Sequence, residues 1–198
     1  SIPVTLKMRL GWDHDCLNAP ELARRAVDAG IALITVHGRT RQQFYTGTAD
    51  WNAVRAVREA VKVPLLVNGD IATLAQASEA LTLSGADGVM VGRAAQGRPW
   101  LVGEIGAGLL TGTMPVTAWA AKVEALMEQA SEAYEFYGEA LGVRMMRKHF
   151  ASFLAVGHMA PEGLTAIRDV LCRSREPAAI RDALHRLLEH EPGRRIAA

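Results

Sequence analysis

Over the first half of the chain, short apolar runs alternate with longer stretches whose apolar positions recur every three or four residues. The runs at 3–10, 31–36, 63–67 and 88–91 are brief, apolar and partly β-branched, which predicts buried strands. Between them come three groups at helical spacing: Leu22, Ala26 and Val27, then Val54, Val57 and Val61, then Leu74, Ala77, Ala80 and Leu81. Each group should be the inward stripe of a helix. A fourth helical pattern passes Gly97 and Pro99 and ends near Leu110. Beyond residue 115 strand signals stop. Helical patterns cover 118–137, 139–156, 162–172 and 178–189, punctuated by Gly138, Gly157, Pro161 and Pro177.

The helix starts agree with this division. Asn18 precedes Ala19-Pro20-Glu21, a capping residue with proline in the first turn and glutamate at capping-box spacing, and Gly30 suits the end of that helix. Asp50 stands before the second helix, and Thr73 with Gln76 before the third. The result is four βα units. The spacings Lys7 to His37, His37 to Asn68 and Asn68 to Gly92 are each about 25–30 residues, the unit length of an eight-fold barrel. The expected architecture is α/β: the C-terminal half of a TIM (β/α)8 barrel over residues 1–112, then an all-α helical bundle over 113–198, with Thr111-Gly112-Thr113-Met114-Pro115 as linker. Four units are half a barrel, and Ser1-Ile2-Pro3 runs straight into a strand. The chain is therefore expected to be the C-terminal part of a longer protein. Two open strand edges should make it dimerise, swap or aggregate.

What the strands end in carries the chemistry, because ligands sit at the C-terminal tips in such folds. The first run ends in Lys7-Met8-Arg9, the second in His37-Gly38-Arg39-Thr40-Arg41, the third in Asn68-Gly69-Asp70 and the fourth in Gly92-Arg93. Lys7 and Arg9 are two apart and share a face. Lys7 suits an anionic ring edge or phosphate, or else a salt bridge inside the barrel. His37 is either a structural hydrogen-bonder or a ligand group. Arg39 and Arg41 beside it favour the second, since such donors suit an anionic or polar molecule. Gly69 and Gly92 could merely make tight turns. Together, on the last two strands, they suit a phosphate held by bare backbone N–H groups and helix N-termini. Cys16 follows the first strand and could be a thiol nucleophile, but nothing near it in sequence would activate it. Cys172, after Leu171 on a helix, reads as packing.

Composition narrows the choice further. A hydrophobic content of 49% is ample for a core, and no apolar run reaches the roughly 18 residues that span a membrane. Two cysteines make no disulfide framework, so a reducing, cytoplasmic setting is expected. No Cys/His cluster has zinc spacing, and no Walker-type or dinucleotide fingerprint occurs. A net charge of +1 is silent about nucleic acid, so any basic footprint must be local. One candidate exists. Arg144, Arg147 and Lys148 share a helical face, flanked by His149 and opposite Val143, Met146, Phe150, Phe153 and Leu154. That face is either solvated or a contact for a phosphate backbone.

As a set, these motifs resemble the tRNA-dihydrouridine synthases, and among them the bacterial DusB type once labelled a nitrogen-regulation protein. The resemblance lies in Leu6-Lys7-Met8-Arg9-Leu10-Gly11-Trp12, in Val36-His37-Gly38-Arg39-Thr40-Arg41 with Gln43, Tyr45, Gly47, Ala49 and Trp51, in Val67-Asn68-Gly69-Asp70-Ile71, in Gly88-Val89-Met90-Val91-Gly92-Arg93-Ala94, and in Gly142-Val143-Arg144-Met145-Met146-Arg147-Lys148-His149. It implies a flavin-binding (β/α)8 barrel with a helical domain that grips tRNA. NADPH reduces FMN, the flavin passes hydride to a D-loop uridine, and a cysteine after the family's fourth strand supplies a proton. Carried onto this chain, Lys7 and His37 would contact the flavin ring. Asn68, Gly69, Asp70, Gly92 and Arg93 would cradle the ribityl-phosphate. Arg9, Arg39 and Tyr45 would face the uridine or its backbone, and Arg144, Arg147 and Lys148 would meet tRNA phosphates. The match starts at the family's fifth strand, so no catalytic residue and no metal ligand is assigned. The chain alone is expected not to complete the reduction. The competing readings are another FMN or phosphate barrel, such as a dihydroorotate-type dehydrogenase or a sugar-phosphate isomerase, and a nucleic-acid-binding nitrogen regulator.

Overall fold

The computed structural model describes residues 2–156 and 161–189. The break expected at Gly157 lies outside them. Four strands, β1 (Thr5–Arg9), β2 (Leu33–His37), β3 (Leu65–Asn68) and β4 (Gly88–Met90), form one parallel sheet in the order β1-β2-β3-β4. Helices α1 (Ala19–Asp28), α2 (Arg55–Ala60) and α3 (Leu74–Ser84) join successive strands, and α4 (Leu101–Thr111) follows β4. The protein is thus α/β with four βα units. Register keeps the tips level: Arg9 pairs with His37, His37 with Asn68, and Asn68 with Met90. The polar residues that end the apolar runs therefore stand side by side.

Burial is uneven across the sheet. Ile34, Val36, Leu65 and Val67 are fully buried on the two central strands. β1 is an edge, and Val4, Thr5 and Lys7 beside or on it are exposed. This corrects the expectation of a buried first strand. Its apolar pattern is that of a strand, but an edge has a neighbour on one side only.

The helix starts use local side-chain chemistry. Asp50 Oδ1 accepts from the Ala53 N–H at 2.9 Å and opens the 3-10 turn Asn52–Val54 that leads into α2. Thr73 Oγ1 accepts from the Gln76 N–H at 3.2 Å, while Gln76 Oε1 accepts from the Ala72 N–H at 2.9 Å. Such a cap replaces intrahelical bonds that the first turn lacks. Asn18, by contrast, makes no side-chain cap bond, so α1 relies on its first-turn proline. Leu22 on α1 is exposed, and the buried positions are Ala19 and its neighbour Ala23.

The chain divides into two compact units, Ser1–Ala94 with Ile105–Met114, and Ala95–Glu104 with Pro115–Ala198. The second holds α5 (Trp119–Tyr137), α6 (Glu139–Val156), α7 (Pro161–Arg173) and α8 (Pro177–Glu189). A single apolar core runs through it, including Val123, Met146, Phe150, Leu171, Ile180 and Leu184. Val143, Met146, Phe150 and Phe153 supply the stripe expected of α6. The Phe153 ring packs edge-on to Trp100 at 5.8 Å and tilted against Trp119 at 5.5 Å. Full burial of one such aromatic side chain stabilises by about 1.5–3 kcal/mol.

Candidate functional site

A closed loop after β2 organises the site. The Asp50 N–H donates to Gly38 O at 2.6 Å, so residues 39–49 leave the sheet and return at one point. A Cβ on Gly38 would lie 2.8 Å from Asp50 O, which leaves room only for glycine. Arg39 fills the inside of the loop and is 2% exposed. Its Nε donates to Thr46 O at 3.1 Å and its Nη2 to Gly47 O at 2.7 Å. The guanidinium fork then reaches both Asp70 oxygens, at 3.0 and 2.6 Å. Arg39 Nη1 is also 3.3 Å from His37 Nε2. A guanidinium only donates, so this contact assigns Nε2 as acceptor and puts the imidazole proton on Nδ1.

Asp70 sits at the tip of β3 with a φ of 56°, in the left-handed region that few non-glycine residues adopt. The Arg39 fork and the Ala49 N–H, 2.8 Å from Asp70 Oδ2, hold it there. Gly69 before it has a φ of 120°. A Cβ at that position would stand 2.7 Å from Ala49 Cβ and 3.1 Å from the His37 ring. Trp51 Nε1 donates to Gly69 O at 2.8 Å. The β1 loop joins the same assembly, because the N–H groups of Arg41 and Gln42 donate to Gly11 O and Trp12 O, each at 2.8 Å. Arg9 Nη1 bonds Thr40 O at 2.6 Å and Phe44 O at 2.9 Å.

These tips surround a cavity of about 420 Å³ lined by Lys7, Arg9, His37, Tyr45, residues 68–72, Met90 and residues 92–94. Its size is within the usual range for small-molecule sites. All seven residues expected at a cofactor are on the wall: Lys7, His37, Asn68, Gly69, Asp70, Gly92 and Arg93. Arg9 and Tyr45 join them. Arg39, expected to face a substrate, is instead buried behind the wall with its donors committed. Asn68 Nδ2 donates to Met90 O at 2.7 Å and so ties β3 to β4. A Cβ on Gly92 would find its nearest atom, Asn68 Nδ2, 3.8 Å away, so the backbone there is bare. Met90, Ile71 and Ala72 line the cavity but gave no polar signal in the sequence.

The electrostatics favour an anion. Partial desolvation at the cavity wall, then the charge of Arg9, lowers the Lys7 ammonium below its ordinary value although the residue as a whole is exposed. Burial and the charges of Arg9, Lys7 and Arg39 lower His37 to about 4 against the opposing pull of Asp70, so the ring is neutral at pH 7. For Asp70, burial alone would raise the carboxyl, but hydrogen bonds from Arg39 and the Ala49 N–H, with the charges of Arg39 and Arg93, bring it below its ordinary value. Lys7, Arg9 and Arg93 thus face a single carboxylate that Arg39 already neutralises. Arg93 is 3.7 Å from Asp70 and lies over the Tyr45 ring at 4.3 Å, with Arg9 5.7 Å from the same ring.

Outside the cavity, Cys16 is exposed, with its N–H held by Asp13 Oδ1 at 2.9 Å. Of the expected basic face on α6, Arg144 and Lys148 are exposed. Arg147 is turned inward, and its Nη2 donates to Arg173 O and Ser174 O at 3.3 and 3.1 Å, at the end of α7. No helix among the described residues is long and apolar enough to cross a membrane. No group of metal-ligating side chains occurs among them either.

Comparison with known proteins gives a consistent picture. Residues 1–170 match the family model described as dihydrouridine synthase (Dus). A probable tRNA-dihydrouridine synthase of Rhizobium leguminosarum bv. phaseoli is 47% identical over 192 residues, which are 95% of this chain and 57% of that protein. A probable tRNA-dihydrouridine synthase of Rhodobacter capsulatus is 49% identical over 90% of this chain and 53% of its own length. The tRNA-dihydrouridine synthase B of Xanthomonas axonopodis pv. citri is 46% identical over 75% of this chain and 45% of its own length. The chain spans about half the length of the curated relatives it matches.

Proposed function

The chain belongs to the dihydrouridine synthase family, and on that premise we propose that it carries the FMN-binding half of an enzyme that reduces a D-loop uridine of tRNA to 5,6-dihydrouridine with NADPH as reductant. In this reading the four-stranded sheet is the C-terminal half of a closed (β/α)8 barrel. Its parallel order β1-β2-β3-β4, with one open edge at each end, suits that role.

The observation that carries the proposal is the cavity at four adjacent strand tips. Its donor set fits a flavin mononucleotide. The bare backbone at Gly92, the turn at Gly69 and the cation Arg93 suit the ribityl-phosphate, with Asn68 and Asp70 fixing that corner. Lys7 and neutral His37 suit the polar edge of the ring. Bound there, FMN would supply the hydride. The chain's own residues bind and orient. Lys7 places a positive charge where the ring gathers negative charge. His37 offers a donor fixed on Nδ1, and Arg9 and Tyr45 present a cationic, aromatic rim to the target base. Arg144 and Lys148 would meet the tRNA backbone from the helical unit, with Arg147 serving mainly to hold α7. The cavity wall contains no cysteine, so this chain alone should make no dihydrouridine. A reducing, cytoplasmic location goes with the tRNA substrate.

The test is a titration of the purified chain with FMN, read by flavin absorption and fluorescence, beside a Lys7→Ala control. Saturable binding that weakens in the control supports the site. Equal binding in wild type and control refutes the assignment of Lys7, and dihydrouridine made by the isolated chain refutes its incompleteness.

A further inference from the structure

The cavity leaves unexplained the aromatic residues beside it. Trp12 and Phe44 are 58% and 54% exposed, and neither lines the cavity. Both are fixed by backbone bonds, Trp12 through its carbonyl to the Gln42 N–H and Phe44 through its carbonyl to Arg9, a residue of the cavity wall. Phe44 has a φ of 49°. The left-handed region is unfavourable for a bulky side chain, and here it is kept for a ring that buries only half its surface. Such strain is retained where it positions something. Arg41 lies over the Phe44 ring at 4.3 Å, just as Arg93 lies over Tyr45 at 4.3 Å. Beside Tyr45 in the wall of a positively charged cavity, the loop thus presents a second ring backed by a guanidinium, Phe44 with Arg41, and the exposed Trp12 stands on the β1 loop bonded to it.

We infer that Trp12 and Phe44, with Arg41, form a stacking platform for the unpaired nucleotides next to the base that enters the cavity. The inference rests on the RNA-modifying reading and adds to it a contact outside the cavity. Unpaired nucleotides offer free π-faces joined by phosphates, and exposed rings alternating with arginines match both features. A duplex offers phosphates but no free faces. A base drawn out of its stack also leaves its neighbours unstacked, and a rigid aromatic surface restores that contact.

The test uses fluorescence anisotropy of the full chain with labelled oligouridine and with an RNA duplex of equal length. Wild type is compared with Phe44→Gly and Trp12→Leu. Glycine at position 44 removes the ring and also relieves the backbone, so the thermal midpoint should hold or rise. A loss of RNA binding at a midpoint that holds cannot come from misfolding. Each substitution should weaken oligouridine binding by about fivefold or more and leave duplex binding within about twofold. Equal weakening on both RNAs would mean that only phosphates are contacted and would overturn the platform. Unchanged oligouridine affinity, or none in the wild type, would also overturn it. FMN titration of the same samples separates the two failures. Flavin binding without an RNA effect rejects the platform alone, whereas wild type that binds neither rejects the platform together with the reading beneath it.

Discussion

Replacing Arg39 by methionine keeps most of the side-chain length and removes every donor. The carbonyls of Thr46 and Gly47, both Asp70 oxygens and His37 Nε2 all lose a partner. Removing one member of a buried ion pair costs about 3–5 kcal/mol. The Asp70 side chain is 29% exposed and keeps the Ala49 N–H and Arg93, so water and these groups offset part of the loss. We expect about 3 kcal/mol, the low end of that range. The loss should be local, because Arg39 fastens one loop. Native-state hydrogen exchange is the assay. The Ala49 and Asp50 amides, bonded to Asp70 and Gly38, should exchange about 100-fold faster. Amides around Phe150 in the helical unit should not change. The double variant Arg39→Met with Asp70→Asn removes the orphaned charge as well. It should be less destabilised than the sum of the single variants by about 1–3 kcal/mol. Additive effects, or a single-variant loss below about 1 kcal/mol, would refute the view that this buried pair holds the site together.

Three further outcomes follow from the geometry. The folded His37 titrates at about 4 against 6.5 unperturbed, so the unfolded chain takes up the proton first as pH falls. Stability present above pH 6.5 is therefore lost between about 6.5 and about 4. Urea midpoints across that range should fall in the wild type and less steeply in His37→Gln, where His149, also lowered by burial and by Lys148, retains part of the dependence, and identical slopes would exclude His37 as a cause. Asp70, also lowered, adds stability that is complete above about pH 3.8 and lost only below it, so its effect lies outside that window. Gly69→Ala places a Cβ 2.7 Å from Ala49 Cβ at a φ of 120°. It should cost about 1–3 kcal/mol and abolish FMN binding, and full affinity in a folded variant would contradict the tight turn. Arg147→Ala should lower the thermal stability of the helical unit by about 1–2 kcal/mol while changing RNA affinity less than Arg144→Ala does, and the reverse ranking would restore Arg147 to the RNA-facing set.

Much of the site was legible because polar residues abruptly end apolar runs. Lys7, His37, Asn68 and Gly92 mark strand tips, and parallel pairing in sequence order brings them together without any further signal. Arg39 was not legible. A charged residue in a polar loop reads as surface, and the carboxylate that buries it lies 31 residues away. Arg147 misleads in the same way, since its helical spacing puts it with Arg144 and Lys148 while the end of α7 draws it in. Leu22 and β1 show the opposite limit. Apolar character reveals the element but not how much of it is buried, nor that an alanine next door supplies the contact. Met90 reads as an ordinary strand residue and becomes part of the cavity only through its place beside Asn68.

The nearest-neighbour order of the strands also has a temporal consequence. Strands β2, β3 and β4 each pair with the one synthesised just before, so these three pairings can form in turn as the chain leaves the ribosome. About 80 residues separate β1 from β4, which at 5–20 residues per second is on the order of 4–16 s of translation. Until Gly92 and Arg93 emerge, the nascent chain displays Lys7, Arg9, His37 and residues 68–70 on an unfinished wall that lacks one side of its proposed phosphate corner. Of the four strands β4 is made last, so on the proposed reading cofactor loading would wait until the row of four tips exists.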